Sequence, residues 1–298
     1  MGEGYEGFVS RRGDFRAVPR VLAKVGKKSR AAEFLDRAKR AYAWAVAHPD
    51  EGFKSLASYG EYNHSLRAYA AAELYHTTYE KKYHEDFRKN VPYEKVPTAE
   101  LEIYRYFDCS LACYSYALIP EEKCDAALRK AVIGAIEKQS DMFIRNCDKL
   151  AFKFLKHPYS PVTWGAGAYE NFAVPVAFMW YLTKDAKYRD WLIRTCDNTL
   201  GANPMGLSWI TGLGVRTVRC PLHNSRYRSD GVAADGLEVQ GPMQHGNGYC
   251  FTETAYPWFK AGKNKMHAFA DVHFCISMDE PTANNMANTM MIFGLLCK

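Results

Sequence analysis

The sequence predicts an all-α protein of the (α/α)6-toroid type, with long loops gathered on one face. Three observations carry that expectation. Apolar residues recur at helical spacing over most of the 298 residues. The helical stretches come in pairs joined by short turns, and the pairs are separated by long segments rich in Gly, Pro and Asn. Strand signals are few and short, and no repeat of fixed period runs through the chain.

Each element has its own signals. From Arg16 to His48 the helical spacing is interrupted once, at Gly26; Ser29 is the expected N-cap of the second helix and His48-Pro49 its stop. Tyr62–Tyr79 is rich in Ala and other strong helix formers. Pro92 and Pro97 mark the next break. Residues 99–118 and 122–148 form a pair divided near Pro120, and a loop over 150–168 follows. Tyr169–Leu182 and Ala186–Leu200 pair across Lys184-Asp185. Residues 201–262 read mostly as loop, and 283–297 as a closing helix. This gives about eight or nine helices by periodicity, short of the two per hairpin that a full ring of six hairpins requires.

Composition narrows the function. Hydrophobic residues at 48% suffice for a sizeable core, and aromatics reach 14%, with 20 Tyr and 6 Trp. Rings at that density pack a helical core or line a cleft that stacks sugar faces, and both readings stay open. The net charge is +6. Its basic residues cluster early (Arg11, Arg12, Arg16, Arg20, Lys24, Lys27, Lys28, Arg30), but Leu, Val and Ala interrupt them at helical spacing, as on a solvated helix face. With no zinc-finger, RRM or KH signature, nucleic acid is not an expected partner. No apolar run approaches transmembrane length, and the first residues hold no signal-peptide core, so neither membrane nor compartment is indicated. Nine cysteines, none spaced Cys-x-x-Cys, suggest small core residues rather than a disulfide framework, and no metal or other cofactor is expected.

The densest functional signal lies between Trp180 and Gly214: an amphipathic helix, a Leu200-Gly201 stop, an Asn203-Pro204 turn and a Gly-rich loop. In a helical protein that order places a loop over a cavity. The segment LGANPMGLSWITGLG (200–214) resembles glycoside hydrolase family 9, the inverting β-glucanases. Other stretches fit the same resemblance. They are AAEFLDRAKRAYAWAVAHPD (31–50), AAAELYHTTYEKKY (70–83), Trp164-Gly165, the Pro221-Leu222-His223 loop with its Gly-Pro turn at 241–242, and DVHFCISMDEPTANNMANTMMIFGLL (271–296). The whole chain then reads as a single, partial catalytic domain over 1–298.

The resemblance implies hydrolysis of β-glycosidic bonds in a cellulose-like or β-glucan-like polysaccharide or oligosaccharide. Glu280 takes the family's general-acid place, although the residue before it is Asp279 rather than the usual Asn. Inverting hydrolysis pairs such an acid with a base that activates water on the opposite face of the sugar. Read without the family, Glu280 also fits the cap of the last helix, since Pro281 suits a first helical position. There the helix dipole would favour the ionised carboxylate, whereas burial and Asp279 would oppose it. His223 takes the place of a His that binds sugar hydroxyls, with Arg226 standing in for the Arg that often follows it. Trp164, Tyr256 and Trp258 are candidate stacking platforms, or rings packed beneath loops.

The family's base motif, Asp-Ala-Gly-Asp, occurs nowhere in the 298 residues. The toroid is therefore expected to be incomplete at its N-terminus, with a missing segment or a partner chain completing it. The family is usually secreted, which implies a secreted or periplasmic protein without settling it. Two alternatives remain: a toroid that binds carbohydrate without hydrolysing it, and another toroid enzyme such as a polysaccharide lyase, for which Asn224 and Tyr227 beside His223 would serve.

Overall fold

The computed structural model describes residues 17–48, 60–90, 107–156, 170–223, 233–242, 269–273 and 275–297. They fall into two compact units, 1–139 and 140–298.

In the first unit a helix over 17–24 (α1) ends at Gly26, whose φ of +77° suits a residue without Cβ. The Gly26 N–H donates to Ala23 O (3.1 Å) and the Lys27 N–H to Leu22 O (2.8 Å), which closes the terminus. The next helix, α2, runs Lys28–Ala47. Its N-cap is Lys27 with no side-chain cap, so Ser29 is not the cap its side chain suggests; the Gly26 turn starts the helix too early for Ser29 to cap it. At the other end His48 closes α2 where expected, its N–H donating to Trp44 O at 3.1 Å.

The helix α3 (Gly60–Thr78) is the centre of this unit. Leu66, Ala68, Ala70, Ala71, Ala72 and Leu74 are all buried, so α3 is covered on several sides and its alanines let neighbours approach closely. Against it pack α4 (Lys81–Asn90) and α5 (Phe107–Ala117). The sequence reading passed over α4: its residues are mostly charged, and its buried stripe is only Tyr83, Phe87 and Asn90. Phe87 stacks on Tyr116 of α5 with centroids 4.5 Å apart and planes within 5°. The next helix, α6 (Ala126–Cys147), is capped by Asp125, whose carboxylate accepts from Leu128 N at 3.0 Å.

In the second unit α7 (Glu170–Thr183) and α8 (Ala186–Thr199) pair across a turn where Lys184 takes φ +58° and Asp185 caps α8 through Lys187 N (2.8 Å). Pro175 is the sixth residue of α7, so the helix forgoes there the hydrogen bond an N–H would make to Asn171 O. The C-terminal helix, Ala283–Leu296, packs on both α7 and α8. Between α8 and that helix the described chain is loop joined by isolated β-bridges, apart from the one-turn helix Ile276–Asp279. None of the seven described cysteines (113, 124, 147, 196, 220, 275 and 297) is joined by a disulfide to another of them.

Candidate active site

The loop after α8 is organised by one side chain. Asn203 is buried, and its amide donates to Asn198 O and Leu207 O, both at 2.8 Å, while its oxygen accepts from Met205 N (3.1 Å) and Leu207 N (3.4 Å). The turn expected at Asn203-Pro204 is thus a fully bonded Asx turn. Trp209 N then donates to Thr199 O at 2.9 Å, tying the loop back to the end of α8. Trp209 is fully buried in a cluster with Val218, Val239, Phe269, Cys275 and Met278. At Gly212, φ is +70° and a Cβ would lie 2.0 Å from the Asp235 carboxylate, so no other residue fits.

Three segments converge beneath the C-terminal helix. The Asp271 carboxylate accepts from the backbone of Arg219 (2.9 Å) and Cys220 (2.7 Å). Leu222 N donates to Asp279 O at 2.7 Å. Gly241 N donates to Met278 O at 2.8 Å, and Val239 bridges Pro281 in antiparallel register. The Leu222–Asp279 hydrogen bond ties together the residues that immediately precede His223 and Glu280. Both candidates are part-exposed, while Asp279 is fully buried.

Glu280 is not the cap of the last helix. It closes the single turn Ile276–Asp279, its N–H donating to Ile276 O at 3.2 Å, with extended backbone (φ −73°, ψ 120°). The N-cap of the last helix is Thr282, which accepts from Asn285 N at 3.3 Å. Glu280 therefore stands two residues outside the cap, where the helix dipole has largely faded. That disposes of the capping role. Arg226, Trp164, Tyr256 and Trp258 lie outside the described residues.

Sequence reasoning missed the acids and amides that hold this site: Asp271, Glu238, Gln240 and Asn285. Their partners are 45 to 52 residues distant, beyond any local pattern. The one available signal was chemical: Glu238 and Gln240 are polar residues inside a short run toward Gly-Pro that also holds Leu237 and Val239.

Among the described residues no group of His, Cys, Asp and Glu has the arrangement of a metal site, and no helix is long and apolar enough to cross a membrane.

The helices, with the loop after α8 and the one-turn helix Ile276–Asp279 before the last helix, define an all-α scaffold. The model of glycosyl hydrolase family 9 matches residues 17–293, and the chain belongs to that family. Among solved structures, the GH family 9 endoglucanase J30 superposes with a TM-score of 0.79 at 20% identity, over 96% of this chain and 54% of that one. AaCel9A, in complex with cellobiose-like isofagomine, gives a TM-score of 0.74 at 20% identity, over 96% and 55%. The endoglucanase of the termite Nasutitermes takasagoensis gives 0.70 at 15% identity, over 97% and 64%. These likenesses establish the all-α fold of the (α/α)6-toroid type. The chain spans about half to under two thirds of the length of these structures. No curated protein sequence matches it.

Proposed function

We propose that the chain carries the acid half of an inverting glycosidase site that acts on β-linked, cellulose-like glucan, with Glu280 as general acid and His223 binding sugar hydroxyls. The observation that carries the reading is the 2.7 Å hydrogen bond from Leu222 N to Asp279 O, which joins the residues that immediately precede His223 and Glu280. Family membership and the endoglucanase names of the similar structures support the reaction class. Arg226, Trp164, Tyr256 and Trp258 are further sugar-binding candidates on the family resemblance alone.

In this reading the protonated Glu280 gives its proton to the glycosidic oxygen as the bond to the anomeric carbon breaks. A water attacks from the opposite face and must lose a proton to a base. No Asp-Ala-Gly-Asp motif is present to supply that base. General acid–base catalysis contributes about 10²–10⁴-fold per positioned group. The 298-residue chain is therefore expected to hydrolyse cello-oligosaccharides slower than a two-carboxylate endoglucanase by about that factor. A reducing-end assay beside such an enzyme tests this, and equal turnover would sink the acid-only reading. The same missing motif favours a second reading, carbohydrate binding without hydrolysis. It holds if cello-oligosaccharide binds by calorimetry and Glu280→Gln changes no residual rate.

A further inference from the structure

Residues 237–241 form a strap in which every position is used. Leu237 exchanges hydrogen bonds with Thr211, Val239 N donates to Trp209 O (3.0 Å) while Val239 bridges Pro281, and Gly241 N donates to Met278 O (2.8 Å). The side chains of the two alternate residues go to the C-terminal helix instead. The Thr289 hydroxyl donates to Glu238 Oε2 at 2.5 Å, and Asn285 Nδ2 donates to Gln240 Oε1 at 3.3 Å. Thr289 and Asn285 are one helical turn apart, and all four side chains are buried, Glu238 to 1% exposure.

Polar groups kept out of water are held to partners of fixed position. Apolar side chains would hold the strap on the helix without fixing its position. What the polar pairs add is register. A slip by one residue would exchange the faces of the strap and would move Val239 off Pro281, and with it the backbone of Glu280. We propose that the Glu238–Thr289 and Gln240–Asn285 pairs are positioning residues that set Glu280 against the sugar. This rests on the reading of Glu280 as the general acid.

The test uses the full chain and a cellobiose-type isofagomine, whose cationic nitrogen stands in for the charge that develops at the anomeric centre. Calorimetric titration of the wild type and of Glu280→Gln comes first. If the wild type does not bind, or if Glu280→Gln binds equally well, the general-acid reading fails, and the inference with it. The decisive variant is Glu238→Leu with Thr289→Val, which replaces both partners by apolar groups and is expected to keep the thermal midpoint. The expected result is an unchanged midpoint with affinity lowered about tenfold, equivalent to 1.4 kcal/mol. Glu238→Gln retains an acceptor for Thr289 and is expected to restore wild-type affinity. Should the doubly apolar variant melt normally and bind as the wild type does, with Glu280→Gln impaired, the pairs act in stability alone and the inference is overturned.

Discussion

In the first unit the long-range polar links run between side chains carried on helices, whereas in the second they run chiefly from side chains to the backbone of loops. Arg67 grips both oxygens of Asp86 (2.6 and 2.5 Å), and Tyr42 and Asn90 donate to the same carboxylate. Arg20 of α1 donates to the Glu73 carboxylate (2.6 Å), to Thr77 Oγ1 (2.7 Å) and to Glu73 O on α3 (3.1 Å). By contrast Asp271 and Thr211 of the second unit bond to main-chain groups of irregular segments, and Asn203 does the same locally with Leu207 of its own loop. Helices satisfy their own backbone, so their side chains are available for one another. Loops do not, and a buried loop must recruit side chains to close its amides and carbonyls. The first arrangement makes a scaffold, and the second shapes a site.

The sharpest separation should come from Glu280→Gln. In the second unit it removes the proposed proton donor and is expected to lower any residual hydrolysis by about 10²-fold or more. The unfolding midpoint should not move, because the side chain is part-exposed. A matching loss of stability would show that the residue belongs to the scaffold instead.

Asp86→Ala is the opposite case. It strands Arg67 and should cost about 3 kcal/mol in urea unfolding, with sugar affinity unchanged once the protein is folded. The pH dependence follows from the same group. Burial raises the Asp86 pKa, but hydrogen bonds from Arg67 and Tyr42 outweigh it and hold the carboxyl below its ordinary 3.8. Its contribution is therefore present above that value and is lost as pH falls through the lower, folded one.

Next in size is Asn203→Ala, expected to cost about 2 kcal/mol because it leaves buried amide and carbonyl groups of 198–207 unpaired. It should also weaken sugar binding, which Asp86→Ala should not. If both variants affect stability alone, the division between scaffold and site does not hold.

The smallest effect concerns His76. Burial first, and Arg20 second, lower its pKa from 6.5 to about 4, and its Nδ1 is buried with no hydrogen-bond partner among the described residues. The unfolded chain then binds more protons between those values, so stability should fall as pH drops from 6.5 toward 4. With the ring part-exposed, the loss is about 1 kcal/mol after allowance for solvent screening. Urea midpoints of the wild type and His76→Gln across that range check it; the variant should lack the slope.

Helix pairs, the stop at His48, the division near Pro120, the Lys184-Asp185 turn and the closing helix were all legible, because each rests on local spacing or on a Gly, Pro or Asp signal. The α4 helix was not, since its apolar stripe is too sparse to outweigh its charges. Ser29 and Glu280 show the limit of capping signals. Both have suitable chemistry, yet the helices start one residue before Ser29 and three after Glu280. The cause in each case lies in neighbouring turns that a cap rule does not see.

Local pattern alone determined that this chain is helical and where its hairpins turn, whereas the candidates for glycosidic chemistry rest on the family resemblance. Periodicity, glycine and proline act within a few residues, so they can be read from order along the chain. Tertiary structure decided that Leu222 meets Asp279, that Asp271 holds 219–220, and that Glu238 and Gln240 meet Thr289 and Asn285. Those contacts exist only because distant segments share one buried space, where each polar group must find a partner or lose the free energy of leaving water.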